Sequence, residues 1–180
     1  MKVVKLFYGA ILCVLVFSCS TDKNMIINRG FHNLHAKYNG FFNANELIST
    51  TQNNFLSNRK ENYSKLLPIY PTPNIEESKN WYSPMDTAAR KCELVIYHHR
   101  MPHEKKGRNR NKEWCKWIDD NWITIAKTKY YKKEFGEALK IFEYVENHFP
   151  IENTFYNSIL WKSKVLIEME AFEEAEEILS

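Results

Sequence analysis

Five side chains able to bind a soft metal lie between positions 92 and 115: Cys92, His98, His99, His103 and Cys115. Thiolate and imidazole are the usual zinc ligands, but structural zinc sites draw them from closely spaced pairs. The order here, C-x5-H-H-x3-H-x11-C, matches none of those patterns, so no metal is expected. His98 and His99 also have a plainer role at the end of a predicted helix, where protonated imidazoles complement the negative end of the dipole. Asp119 and Asp120 are adjacent at a predicted helix start, where carboxylates meet the positive end. Catalytic carboxylates must converge on a reacting group across a cleft, and this pair shows no such arrangement. The chain has no Ser/His/Asp order, phosphate loop or HExxH. A non-catalytic protein without a cofactor is the expectation, and a zinc enzyme built on the Cys/His group is the remaining catalytic alternative.

A second chemistry-bearing stretch is the basic loop, with Lys105, Lys106, Arg108 and Arg110 within a polar, Gly-containing connector. Such a patch attracts phosphate-bearing or other anionic ligands. An acidic lipid headgroup, a cell-wall polymer or an acidic protein suits it better than nucleic acid if the chain is exported; the plainest alternative is a solvated loop. From His98 to Trp117 there are seven Lys/Arg and two Glu, whereas Glu168 to Ser180 holds six Glu and no base.

The N-terminus speaks for export. Lys2 and Lys5 precede an apolar stretch from Leu6 to Phe17, too short to span a bilayer and laid out as a secretory signal. Leu15-Val16-Phe17-Ser18-Cys19 resembles a lipobox, although Phe17 is bulkier than usual; Cys19 is the expected lipidated first residue. A plain cleaved signal and an uncleaved anchor are the alternatives. Removing residues 1–18 deletes Lys2 and Lys5 and leaves 23 basic against 22 acidic residues, so bulk charge selects no partner. Cys92 and Cys115 then remain in a compartment where a disulfide can persist. A Cys92–Cys115 bridge is possible on predicted helices joined by a loop, with burial as two small hydrophobes the favoured reading.

The elements that would position these residues are helical. Trp122-x2-Ile125-Ala126, Ala138-x3-Phe142 and Pro150 stand 16, 20 and 28 residues apart from Trp122 at Ala138, Phe142 and Pro150, the steps of a tetratricopeptide repeat. Small Ala126 and Ala138 allow two helices to cross closely, and Pro150 stops the second because it has no N–H to donate. A second unit follows, with Ser163 and Ala175 as the small positions and Leu179 in the place of Phe142; Ala138 and Ala175 are 37 apart. The chain stops within that unit's second helix, without a capping helix, so a fragment of a longer array is expected. Trp114, Trp117, Trp122, Tyr130, Tyr131 and Phe135 read mostly as core. Lys129, Tyr130 and Tyr131 are candidates for the concave groove where such repeats hold peptides.

Ahead of the repeats, residues 19–30 read as a tether and 31–112 as a helical region with a Pro-rich crossover; 113–180 carry the repeats. A helix through Phe31, Leu34, Tyr38 and Phe42, a turn at Asn43 and a second helix over 44–56 are predicted. Pro68, Pro71 and Pro73 exclude helix, so Leu66 to Pro71 reads as an extended segment packed along the helices. Ser83-Pro84 reads as an N-cap and first turn leading through Ala88, Ala89, Cys92, Val95 and Ile96 to about His99. The helix entering the repeats is expected to begin near Glu113. The fold class is all-α: tetratricopeptide-type hairpins in a right-handed superhelix with a non-helical crossover.

Several segments together carry a family likeness. Asn28-Arg29-x2-His32-Asn33-Leu34-x3-Tyr38-Asn39-x2-Phe42-Asn43-x2-Glu46 follows Cys19, then come Leu67-Pro68-Ile69-Tyr70, Met85-Asp86-x-Ala88, and Ile118-Asp119-Asp120 before Trp122. Their order resembles the N-terminal part of the gliding-motility and type IX secretion lipoproteins of Bacteroidota, the SprE/PorW kind, over about residues 19–180. The resemblance implies a lipid-anchored scaffold at the outer membrane, facing the periplasm and contacting other proteins of the secretion and motility machinery. It implies no nucleic acid and no small-molecule substrate. The alternative is a lipoprotein module that binds cell-wall polymer or another anionic ligand through the basic loop.

Overall fold

A strict four-residue spacing organises the first half of the chain. The computed structural model describes residues 24–64, 66–102, 112–150 and 152–180. In them Asn28, His32, Ala36, Gly40, Ala44 and Ile48 are buried one after another on a single helical run. The run comprises α1 (Ile26–His35), a π-helical stretch (Ala36–Phe42) and α2 (Asn43–Asn58). In a regular α-helix, four residues overshoot one turn by about 40°, so this spacing would wind the buried line around the helix. The π-helical stretch, with its i→i+5 bonds and more residues per turn, takes up that drift and keeps the line facing inward.

The predicted turn at Asn43 is therefore corrected: Phe42 and Asn43 both have right-handed helical geometry, and the run continues through them. Helix also begins at Ile26, so the last five residues assigned to the tether, 26–30, are helical. Gly40 lies where the run meets its neighbours. A Cβ there would come within 2.9 Å of Val95 Cγ2 and collide with Asn121 Oδ1. Asn121 is fully buried, and its Nδ2 donates to Ala36 O at 3.2 Å. One amide thus ties the first helical run to the start of the repeats.

The crossover differs from expectation in two ways. Leu66 is 99% exposed and Ile69 88%, so the apolar segment does not pack along the helices; Pro73, fully buried, makes the contact. Helix then resumes at Ile75 behind an Asn74 N-cap, earlier than the expected Ser83. The Asn74 side chain accepts from Glu77 N and the Glu77 carboxylate accepts from Asn74 N, both at 2.9 Å, a reciprocal cap. From it run α3 (Ile75–Ser78), a 3-10 turn (Lys79–Trp81) and α4 (Tyr82–His99). Pro84, three residues beyond the 3-10 turn, lacks the N–H that would bond Asn80 in a continuous α-helix, which accounts for the tighter turn there.

α5 (Ile118–Tyr131), α6 (Phe135–His148), α7 (Thr154–Glu168) and α8 (Phe172–Glu177) complete the chain. Each packs on the one before it, and α4 packs against both α2 and α5. This is an all-α helical-repeat fold, with no strand among the described residues beyond one isolated bridge between Pro102 and Glu113. α5 starts at Ile118 rather than near Glu113. The preceding residues form a loop pinned by the Glu113 carboxylate, which accepts from Met101 N and Cys115 N, and by Asn33, whose Oδ1 accepts from Lys116 N at 2.7 Å. One core runs from Ala36 through Met85, Cys92 and Ala126 to Phe142 and Val165, across the expected boundary at residues 112/113.

The two repeat units share a backbone period of 37 residues. After α5, Lys133 N donates to Tyr130 O and Glu134 N to Lys129 O; after α7, Glu170 N donates to Ile167 O and Ala171 N to Leu166 O. Lys133 and Glu170 take the left-handed conformation, at φ 63° and 61°. Ala126, Ala138, Ser163 and Ala175 are all buried, as the spacing requires. Leu179 departs from it: it lies beyond α8 and is 56% exposed, unlike fully buried Phe142.

Two substitutions test this packing. Gly40→Ala should lower stability, because overpacking costs about 1–3 kcal/mol and the gain in helix propensity is about 1 kcal/mol. A urea titration showing unchanged or raised stability would contradict the close approach. Glu170→Gly should instead raise the thermal midpoint by the equivalent of up to about 1 kcal/mol, since an exposed L-residue holds a conformation that glycine adopts freely. A lowered midpoint would show that Glu170 makes a contact worth more than that strain.

Candidate partner-binding site

The residues expected in a concave groove are committed elsewhere. Tyr130 and Tyr131 are buried. Tyr131 packs against Trp81 at 5.2 Å between ring centroids, and Tyr130 meets Trp161 edge-on at 5.4 Å. The Tyr130 hydroxyl donates to Glu168 Oε1 at 3.2 Å. Lys129 is half-buried, its ammonium 2.7 Å from Glu134 Oε2. Tyr130 and Tyr131 are core residues, which leaves little of either ring for a ligand. Their spacing placed them on α5 correctly, but a tyrosine in the last turn of a helix faces inward or outward according to the neighbouring helix.

Two positions back on the same helix, Lys127 takes up what Lys129 was expected to supply. Its Nζ lies 5.0 Å from the centre of the Trp161 ring on α7, and Lys164 Nζ lies 4.5 Å from the same ring. Two amino groups thus share one indole, Lys127 reaching it across the α5/α7 face and Lys164 from within α7. Burial, and after it the charge of Lys164, lowers the Lys127 pKa, while Asp120 acts in the opposite sense. Neither lysine forms a salt bridge with a described carboxylate. The pair sets two amino groups beside one aromatic plane, with the Asp120 carboxylate acting on Lys127 from the same helix. The Trp161–Lys164 pair is local to α7, at a spacing of three residues, but Lys127 reaches the same ring from the preceding repeat, and that approach is not legible in the sequence.

A second open surface adjoins the far end of these helices. A cavity of about 1100 Å³ lies between α2, the segment from Thr72 to Trp81 and the turn after α5. Asn54, Phe55 and Asn58 line one side, Asn74 and Trp81 another, and Lys133 and Glu168 its floor. Glu168 is held firmly: Lys133 Nζ lies 2.7 Å from its Oε2, and Thr72 Oγ1 donates to its Oε1 at 2.9 Å. Burial works against its charge, but the hydrogen bonds from Lys133 and Thr72 outweigh it and keep the carboxyl below its usual range. This network fastens the Pro-rich segment to the repeats through Thr72, and Lys164 lies 4.9 Å from the Tyr70 ring. Carboxamides, two aromatic rings, the Lys133–Glu168 ion pair and the charged Arg59, Lys60 and Glu77 give the cavity a mixed, largely polar lining.

Cys92 and Cys115 are free thiols, both buried, the arrangement of two small hydrophobes and not of a bridge. Burial pushes both up to about 12, which keeps them protonated. Cys115 Sγ donates to His32 O at 3.6 Å. His103, together with the basic-loop residues Lys105, Lys106, Arg108 and Arg110, lies outside the described residues, as does Cys19. Among the described residues no group of three or more potential ligands is placed to hold a metal.

His99 departs from its expected role as a protonated helix-end residue. Its ring stacks on His35 at 5.1 Å, and its Nδ1 lies 3.0 Å from His32 Nδ1, so one imidazole donates and the other accepts. Burial, then the neighbouring His32, His35 and His98, pulls its pKa down to about 4, leaving it neutral at pH 7. The adjacent aspartates also differ from each other. Asp119 is buried and accepts from Thr154 Oγ1 at 2.6 Å, joining α5 to α7. Asp120 is pushed up to about 7 by burial first and by Asp119 next, with Lys127 pulling the other way. These carboxylates serve the helix pair and do not face each other across a cleft.

No protein-family model matches the chain, and comparison with curated proteins returns no match. The class that the fold defines is the all-α helical-repeat protein, and no described helix is long and apolar enough to cross a membrane.

The two titrating groups give opposite pH dependences. His99 has a folded pKa near 4 against 6.5 unfolded, so its contribution is complete above pH 6.5 and is lost as pH falls through 4. Asp120 has a folded pKa near 7 against 3.8, so its contribution is complete below pH 3.8 and is lost as pH rises through 7. Urea midpoints measured from pH 4 to 8 should show Asp120→Asn removing the decline toward pH 8 and His99→Gln reducing the decline toward pH 4. Profiles parallel to the parent in both variants would contradict these assignments.

Proposed function

We propose that this protein is a non-catalytic scaffold, lipid-anchored through Cys19 at the outer membrane and facing the periplasm, that supports type IX secretion and gliding motility by holding other proteins of that machinery. The single observation that carries the reading is the 37-residue repeat of helix, left-handed turn and helix, since stacked helical units offer extended faces for protein contacts. The Lys127–Trp161–Lys164 face and the cavity floored by Lys133 and Glu168 supply the partner surfaces. The motif series from Asn28 to Trp122, with its resemblance to the Bacteroidota lipoproteins, supplies the biological setting. The tetratricopeptide identity of the hairpins belongs to this reading, as do their right-handed superhelical stacking and the signal over residues 1–18.

The charge run with Lys105, Lys106, Arg108 and Arg110 favours a second reading, binding of cell-wall polymer or another anionic ligand. In a strain lacking the gene, cargo of the type IX system should be retained in the periplasm and reach the medium again on complementation. Normal secretion would overturn the secretion role. The polymer reading would then lead if reversing charge at Arg108 and Arg110 abolished sedimentation of the protein with purified wall.

A further inference from the structure

The first helical run carries an apolar stripe that its buried line does not use. Ile27, Phe31, Leu34, Tyr38 and Phe42 recur at steps of four, three, four and four residues. All are exposed: Ile27 by 80%, Leu34 by 58% and Phe42 by 52%. Residues 28, 32, 36 and 40 of the same run face the core, so the stripe lies on a different side. Isolated apolar residues on a surface need no explanation, but a contiguous row along a helix marks a contact surface. Between Ile26 and Phe42 the run carries Arg29 and Lys37 and no acidic residue. Arg29 lies over the Trp114 ring at 3.7 Å, and Lys37 lies 5.2 Å from the Tyr38 ring at the edge of the stripe.

We infer that this stripe seats the first helix in the surface of the lipid bilayer, with its axis in the membrane plane. The inference rests on the proposed acylation of Cys19 for its choice of occupant. Only six residues separate Cys19 from Ile26, so an acylated Cys19 keeps the helix start within about 25 Å of the bilayer at full extension. The stripe itself extends for roughly 20 Å, so its whole length falls within reach of the same surface. Aromatic and aliphatic residues on one side, with basic and amide side chains beside them, are the composition of an interfacial helix. Lys37 at the edge would meet lipid phosphates, and Tyr38 would place its ring at the headgroup level. The seat also supplements the anchor and sets the repeats at a defined orientation to the membrane.

The test uses the full-length protein purified from its own membranes. Leu34→Cys and, as control, Leu160→Cys on α7 are each labelled with an environment-sensitive fluorophore. The buried, protonated thiols of Cys92 and Cys115 react poorly by comparison. Each protein is reconstituted into vesicles of phosphatidylethanolamine and phosphatidylglycerol carrying spin-labelled lipid. The fluorophore at position 34 should shift to the blue and lose most of its emission to the lipid-borne quencher, while that at 160 should stay open to aqueous iodide. Iodide quenching at 34 equal to that at 160 overturns the seat. Shielding at 34 from both quenchers also overturns it, because protein, a second copy included, then covers the stripe. Acylation is read separately by mass spectrometry of the N-terminal peptide. An unacylated Cys19 removes the anchor, yet lipid quenching at 34 would still establish the seat and its absence would still overturn it.

Discussion

The contact between Gly40, Val95 and Asn121 is the constraint on which the remaining architecture depends. It lets the first helical run approach α4 and α5 at once, in a place where even one methyl group has no room. Three consequences follow in the chain. The run must stay helical through Asn43, since a turn would carry Ala44 and Ile48 out of the core. It must change its residues per turn, because a buried line at steps of four would otherwise wind around the helix. And Asn121 must remain an amide, for its nitrogen satisfies Ala36 O in a place closed to solvent. Its oxygen has no hydrogen-bond partner and lies against Gly40, in the space that a side chain there would take.

Polar fastenings at the other end complement that packing. Glu168 gathers Lys133, Thr72 and Tyr130, drawing the crossover, the turn after α5 and the end of α7 to one carboxylate. Lys132 joins Asp86 of α4 and Glu134 across the same turn, each at 2.7–2.8 Å. The crossover is consequently held at Thr72 and Pro73, and its apolar residues Leu66 and Ile69 stay outside. The left-handed turns, not the apolar segments, give the two repeats their common backbone.

How far the chain could be read before its structure depended on the distance over which each feature is decided. Local spacing placed Ala126, Ala138, Ser163 and Ala175 at buried positions and α4 through Ala88, Cys92 and Ile96 to His99. The helix ends were less legible. Asn43 looks like a turn residue, but the contact that keeps it helical is made by Gly40, Val95 and Asn121, far apart in the chain. Asn74 and Glu77 form a cap that was readable in their spacing, yet Ser83-Pro84 offered a competing start a few residues later. The candidate site was the least legible. Tyr130 and Tyr131 were located on the right helix but turned inward by Trp81 and Trp161, and the Lys127–Trp161–Lys164 group exists only after α5 and α7 have packed.

A single frame, joined at Gly40, connects the outward apolar stripe of the first helix to the repeats that carry the candidate partner surfaces. Amide hydrogen exchange across residues 36–48, followed by nuclear magnetic resonance, tests it most directly. Protection should be continuous through Asn43 and comparable to that of residues 85–96 in α4. Fast exchange confined to Asn43 and its neighbours would contradict it, restoring a helical hairpin at that point and uncoupling the stripe from the repeats.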